Sequence, residues 1–294
     1  MFENVIGHDR IKNQFERAFE AGKLHHASLL MGPEHIGKMS LVREIVSQLR
    51  TGKAFDESSS FGKQIVAGEG SGLLAFYDTG ESLKVDQVRM MKEFVSRRTA
   101  EGQWSFCLIE HLERMTHSAA NAFLKVLEEP SQRMLYFMTT RSEKLLIPTV
   151  LSRVQQYRMS VVPGPEVQKF LEKTAHNGVL VEEVMKLSMG KIGLAITLLA
   201  DQERLDRLRE LYDYAALMLD KDMVERFALA DHLTKKEVLQ SDVEQFFVYL
   251  SLRLRHEGVR SYIPQLNRIQ EVHELFASTQ VNRRLFLEEL FLSI

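Results

Sequence analysis

Between an apolar run, Ala27-Ser28-Leu29-Leu30-Met31, and an amphipathic stretch, Leu41 to Leu49, the chain reads GPEHIGKMS. Gly32, four residues and then Gly37-Lys38 is the spacing of a loop whose backbone N–H groups cradle phosphates and whose lysine reaches the terminal ones. Strand, glycine loop and helix is the context such a loop requires, and it commits the chain to an α/β layout around it. The context matters more than the pattern, because a bare G-x4-GK arises by chance in about one chain in ten of this length. One residue departs from the motif. The position after the lysine wants a Ser or Thr hydroxyl for Mg²⁺, and it holds Met39, whose thioether a hard cation does not use. Ser40 does not repair the loss, since a shift of one residue at a helix start turns the side chain by roughly 100°.

The remaining first half alternates strand and helix signals. Ile11 to Ala21 carries a helical stripe and closes at Gly22. Leu73 to Tyr77 predicts a strand, Val85 to Val95 a helix, Ser105 to Ile109 a buried strand, Ser118 to Glu128 a helix stopped by Pro130, and Met134 to Met138 a last strand entering Thr139-Thr140. Such alternation favours a parallel, doubly wound sheet with ligands at the carboxyl ends of its strands. Residues 51 to 72, rich in Gly, Ser and charge, read as a mobile surface insertion. Pro163-Gly164-Pro165 is the best linker. Beyond it Val167 to Leu171, Val181 to Leu187 and Leu194 to Leu199 are short amphipathic helices, and a longer helical region starts with Leu205, Leu208 and Tyr212.

With 38 basic and 40 acidic residues the net charge is −2, so no global field draws the chain to nucleic acid. The tightest basic pairs, Arg97-Arg98 and Arg253 with Arg255, read as solvated helix faces. Cys107, the single cysteine, excludes an internal disulfide and is expected to be buried and inert. His25-His26 has no third ligand at metal spacing, so neither zinc nor any other metal is expected there. No run of 18 apolar residues and no basic-then-apolar leader is present, which predicts a cytoplasmic protein without membrane contact.

A hydrolytic site of this kind also needs a strand ending in two carboxylates, one to hold Mg²⁺ and one to activate water. FCLIEHLERMT, residues 106 to 116, is the candidate: Glu110 could be the metal-side carboxylate, His111 stands where the second acid belongs, and Glu113 is no automatic substitute.

From there the chain runs through Ala120-Asn121-Ala122-Phe123-Leu124-Lys125, Leu127-Glu128-Glu129-Pro130, the sensor-like Thr139-Thr140 and Ser152-Arg153. These stretches closely resemble the AAA+ clamp-loader subunits of the bacterial DNA polymerase III holoenzyme. The resemblance begins at Phe2-Glu3-Asn4-Val5-Ile6-Gly7, includes His26-Ala27 and Val85-Asp86-Gln87-Val88-Arg89, covers residues 1 to 160, and returns at 180 to 200 and at Asn282 to Leu290. It implies an α/β AAA+ nucleotide-binding module over 1–162, a small helical lid over 163–202 and an all-α collar over 203–294. The implied partners are the other clamp-loader subunits, ATPase and delta-like, through collar and AAA+ faces, with the sliding clamp and primer-template DNA as substrates of the complex.

Within that family the departures resemble a non-hydrolysing stator. Met39 replaces the Mg²⁺ hydroxyl, Glu110-His111 replaces Asp-Glu, the insertion lacks the zinc-binding cysteines, and Gly190-Lys191-Ile192-Gly193 stands where a second sensor arginine is usual. Arg153 matches the arginine that reaches a neighbour's γ-phosphate, with Val154 in place of the motif's cysteine; a surface ion pair is the plainer fate of such a residue. No cofactor is required on this reading, though Gly32, Gly37 and Lys38 could retain ADP, ATP or phosphate, since helix N-termini hold anions without a metal. Alternatively Pro33-Glu34-His35 puts a carboxylate where phosphate would sit. A divergent active ATPase, with Glu110 holding Mg²⁺ and His111 or Glu113 as base, is the competing expectation.

Overall fold

The computed structural model describes residues 2, 4–96, 103–130, 133–175, 178–235, 240–258, 263–278 and 283–293. Glu3, Arg97, Arg98 and Asn282 lie outside them. The chain divides into two compact units, Met1–Thr197 and Leu198–Ile294.

In the first unit the strands β1 (Ala27–Met31), β2 (Glu69–Gly70), β3 (Leu73–Phe76), β4 (Ser105–Ile109), β5 (Met134–Thr140) and β6 (Gln155–Arg158) form one sheet in the order β2-β3-β4-β5-β1-β6. All neighbours are parallel except the short β2, which runs against β3. Alternate strand residues feed opposite faces, as the pleat dictates. Leu30, Phe106, Leu108, Leu135 and Phe137 pack with α1 (Asp9–Glu20) and α2 (Lys38–Thr51) on one side. Leu29, Met31, Cys107, Ile109, Tyr136 and Met138 pack on the other, with α4 (Val85–Ser96) and α5 (His117–Glu128) over them. Burial on both faces is why β1, β4 and β5 read as unbroken apolar runs. Cys107 is fully buried, and its apolar surroundings push the thiol's pKa far up, so it is an inert core residue.

The segment 51–72 differs from the mobile insertion its composition suggests. It contains the helix α3 (Ser60–Ala67), capped by Ser59, whose Oγ accepts from Gly62 N–H at 2.9 Å. Ile65 is fully buried in the core and Phe61 packs beside it. The serine run is thus a capping signal, and Ile65, with Phe61 and Phe55 packed against the same core, holds the segment in place. The strand β6 was not anticipated. Only Tyr157 of its four residues is buried, as suits an edge strand, and Phe15 stacks on that ring at 4.3 Å.

After the short helix α6 (Pro148–Leu151) and β6, Pro163-Gly164-Pro165 starts a helix instead of forming a free linker: Pro163 is the N-cap of α7 (Gly164–Thr174). Helices α8 (Gly178–Ser188) and α9 (Ile192–Ala200) follow, and the unit boundary falls within α9. The second unit holds α10 (Gln202–Leu217), α11 (Met223–Leu233), α12 (Gln240–Gly258), α13 (Ile263–Ser278) and α14 (Arg283–Ser293). Asp201 caps α10, and a reciprocal Asp222–Glu225 capping box starts α11. Phe246, Phe247, Leu250, Leu287, Leu290 and Phe291 form its core. Asp242, fully buried, accepts from Nε and Nη2 of Arg204 at 3.1 and 3.0 Å. Arg253 donates to the Ala216 carbonyl at 2.8 Å, so it anchors a helix pair and does not form a solvated basic face. This order, a parallel α/β module and then helices alone, agrees with the expected architecture. No described helix is long and apolar enough to cross a membrane.

Candidate functional site

The phosphate-type loop leaves β1 at the carboxyl edge of the sheet. Gly32 N–H donates to the Thr140 carbonyl at 3.1 Å, and the loop runs so close to β6 that a Cβ on Gly32 would lie 2.3 Å from the Met159 carbonyl oxygen. Only glycine fits there. Gly37, at φ 93°, caps α2. The loop is held from two further directions. His8 donates through Nε2 to the Ile36 carbonyl at 2.8 Å, and Gly193 N–H, at the start of α9, donates to the His35 carbonyl at 2.7 Å. Burial holds the His8 imidazole's pKa below its ordinary value, so it serves as a neutral donor.

Lys38, the first residue of α2, is 7% exposed, and its ammonium turns back on the loop, donating to the carbonyls of Gly32 at 2.7 Å and Pro33 at 2.5 Å. Burial lowers its pKa to about 8, against the opposing pull of the Glu34, Glu113 and Glu110 carboxylates. Met39 packs against the core and Ser40 is exposed, so neither presents an oxygen to a cation at the loop.

Facing the loop are the ends of β3, β4 and β5. His111, in the left-handed region at φ 53°, is buried, and its N–H donates to Thr139 Oγ1 at 3.2 Å. Its Nδ1 donates to Glu113 Oε1 at 3.0 Å, while its Nε2 faces Asp78 Oδ2 at 3.8 Å and Glu34 Oε1 at 3.9 Å. Arg141, the residue after β5, donates from its backbone N–H (3.2 Å) and its Nε (3.3 Å) to the same Glu113 oxygen, and its Nη1 lies 3.4 Å from Glu34 Oε1. Glu110 Oε2 accepts from Asp78 N–H at 3.2 Å. Asp78 in turn accepts from Arg114 Nη2 at 3.0 Å.

The electrostatics follow from that geometry. Burial alone would raise the Glu113 carboxyl, but the hydrogen bond and charge of His111 outweigh it and hold the pKa at about 2. Burial would lower His111, but the Glu113 bond and the charges of Glu113, Glu34 and Asp78 raise it. Glu113 is therefore a permanent carboxylate engaged with two partners, not a base poised to take a proton from water. Among the described residues no group of three or more His, Cys, Asp or Glu side chains is arranged to hold a metal ion.

Thr139 and Thr140 are fully buried; the Thr140 hydroxyl donates to the Ser142 carbonyl at 3.1 Å. The structure thus gathers Gly32, Gly37, Lys38, Glu110, His111, Thr139 and Thr140 around one strand edge. Arg153 lies after α6 and is half-exposed. Its Nε and Nη2 both donate to Glu128 Oε1, at 3.0 and 2.6 Å, and its Nη1 to the Thr149 carbonyl at 3.0 Å. In the isolated chain it is a surface ion pair. Glu129, after the end of α5, takes no part in that pair.

The sequence reading missed Arg141, Asp78, Arg114 and His8. Arg141 had a signal, since it directly follows the paired threonines. His8 follows Gly7 within the stretch that carries the resemblance, and Asp78 comes two residues after β3 ends.

A family model described as DNA polymerase III, delta subunit, matches residues 7–163. Among curated proteins the chain is 24% identical over 253 residues to DNA polymerase III subunit delta' of Haemophilus influenzae, covering 84% of this chain and 76% of that one. It is 23% identical over 180 residues to DNA polymerase III subunit gamma of Buchnera aphidicola. The chain spans 30% to 50% of the length of the gamma, tau and gamma/tau relatives it matches. A crystal structure of a DNA polymerase III gamma subunit-related protein from Thermotoga maritima shares the fold, with a TM-score of 0.55 and 21% identity over 95% of this chain and 98% of that one.

Proposed function

This chain belongs to the family described as DNA polymerase III, delta subunit, and from that premise we propose that it acts as a delta-prime-like stator of the clamp loader: it hydrolyses no ATP itself and lends Arg153 to a neighbouring subunit's nucleotide. The observation that carries the first half is the replacement of each hydrolytic part by something else. Met39 packs, partly buried, against the core where a Mg²⁺ hydroxyl belongs, Lys38 is engaged with its own loop, and His111 and Glu113 are bound to each other. Water activation needs an unengaged base beside a metal, and among the described residues Glu113 is engaged and no cluster of three His, Cys, Asp or Glu side chains is arranged for a metal.

The second half is supported by the place of Arg153. It sits on the surface of the first unit with one carboxylate partner, and an exposed pair of this kind is worth about 0–1 kcal/mol. A γ-phosphate, with more charge and three acceptor oxygens, outcompetes such a partner. The partners on this reading are ATPase and delta-like subunits of the loader, which acts on sliding clamp and primer-template DNA; ADP or ATP in this chain's own loop is not part of the cycle.

The test is steady-state ATPase of the reconstituted loader with clamp and primed DNA, comparing wild type, Lys38→Ala and Arg153→Ala in this chain. Arg153→Ala should abolish most of the turnover attributable to the adjoining site, on the order of 10³-fold for a finger arginine, while Lys38→Ala leaves it unchanged. Loss of turnover with Lys38→Ala, or hydrolysis by the isolated chain, would overturn the reading.

A further inference from the structure

We propose that Glu34 is the phosphate loop's own ligand: a carboxylate built into the loop that occupies the anion position and keeps nucleotide out. Three cationic or proton-bearing groups from three different elements surround this edge of the sheet. Lys38 lies at the start of α2, His111 after β4 and Arg141 after β5. Glu34, two residues after Gly32, places Oε1 3.4 Å from Arg141 Nη1 and 3.9 Å from His111 Nε2. A loop of this type gathers positive charge for an arriving phosphate, and here the chain supplies the negative group itself.

The competition is unequal. A tethered carboxylate meets its partners at the effective concentration of an intramolecular group, millimolar or more, and loses little entropy on docking. A free phosphate must displace it, and must also recover Lys38 from the Gly32 and Pro33 carbonyls without help from Mg²⁺. The site that remains when Glu34 is removed is metal-independent and takes the phosphate end of a nucleoside diphosphate or inorganic pyrophosphate. This inference rests on the reading of the loop as non-hydrolysing.

The experiment is isothermal titration of the full chain with ADP and, separately, with pyrophosphate, both in EDTA, for wild type, Glu34→Ala, Glu34→Gln and the double variant Glu34→Ala/Lys38→Met. Glu34→Ala should tighten binding of both ligands at least about tenfold over wild type, which is ~1.4 kcal/mol. Glu34→Gln, which keeps the bulk and removes the charge, should gain less, and the double variant should lose the gain. Should Glu34→Ala be poorly folded, Glu34→Gln alone decides by the same comparison. Equal affinity of wild type and a folded Glu34 variant would overturn the inference, as would a gain that survives loss of Lys38. ADP binding by wild type as tight as by Glu34→Ala, without turnover, would sink this inference alone, whereas turnover by wild type would sink the stator reading.

Discussion

Lys38→Met should make the first unit more stable. Its pKa is about 8 against an ordinary 10.5, and a difference of this size corresponds to about 3 kcal/mol by which the folded chain disfavours the charged amine. Methionine keeps the stem and removes the charge. The substitution also strips a donor from the Gly32 and Pro33 carbonyls, but both residues reach solvent and water can replace it, so the return loss is about 1 kcal/mol. A net gain of about 2 kcal/mol raises the melting temperature by roughly 4–8 °C in a unit of this size. The sign of the pH dependence is fixed. Between pH 8 and 10.5 the unfolded chain still holds the lysine proton that the folded chain has released, so wild type gains stability as pH rises and the gap to Lys38→Met closes. Calorimetry of both proteins at pH 7 and at pH 10 measures this, and the groups shared by the two proteins cancel in the difference. A Lys38→Met chain that melts lower than wild type at pH 7 would refute the reasoning, because the ammonium would then be a net support of the loop.

Glu113→Gln should destabilise the first unit by about 3–5 kcal/mol in urea denaturation, since it leaves His111 and Arg141 facing each other without the carboxylate that binds both. The same pair makes stability depend on pH in two ranges. The contribution of Glu113 is present above its unfolded pKa near 4.5 and is lost as pH falls toward 2, and that of His111 is present below 6.5 and is lost as pH rises through its raised folded value. Urea midpoints of the variant should accordingly show a flatter acid limb than wild type. Gly32→Ala should cost several kcal/mol or prevent folding, because the added Cβ meets the Met159 carbonyl at 2.3 Å and β6 cannot retreat without losing its pairing with β1; a melting temperature within 2 °C of wild type, less than about 1 kcal/mol in such a unit, would contradict it.

The central strands were legible because both faces of the sheet are covered. β1 and β4 have the bounds that their apolar runs indicate, and β5 starts where its run does. Strand β6 was not, since Gln155-Gln156-Tyr157-Arg158 offers one apolar residue and its pairing with β1 is a long-range fact. The segment 51–72 was misread because Gly and Ser content was weighed as disorder, when Ser59 is a cap and Ile65 an anchor. In the site, the glycine loop and the missing Mg²⁺ hydroxyl are local and could be read directly. The pairing of Glu113 with Arg141 could not, for the two are 28 residues apart and meet only because β4 lies beside β5. Local spacing reveals which motif positions depart from the pattern; strand order reveals what the residues there touch.

The bond from Gly193 N–H to the His35 carbonyl joins the helical segment after Pro163 to the phosphate loop through main-chain atoms alone. A bridge made by a diffusible ligand opens and closes with that ligand's supply. A bridge made of peptide groups has no supply to track, and side-chain substitutions that keep the backbone N–H leave its donor and acceptor in place. Proline at position 193 is the one natural replacement that removes the donor outright. The strength of the tie is set by the two peptide groups themselves, so Gly193→Pro isolates what it contributes to the stability of the first unit.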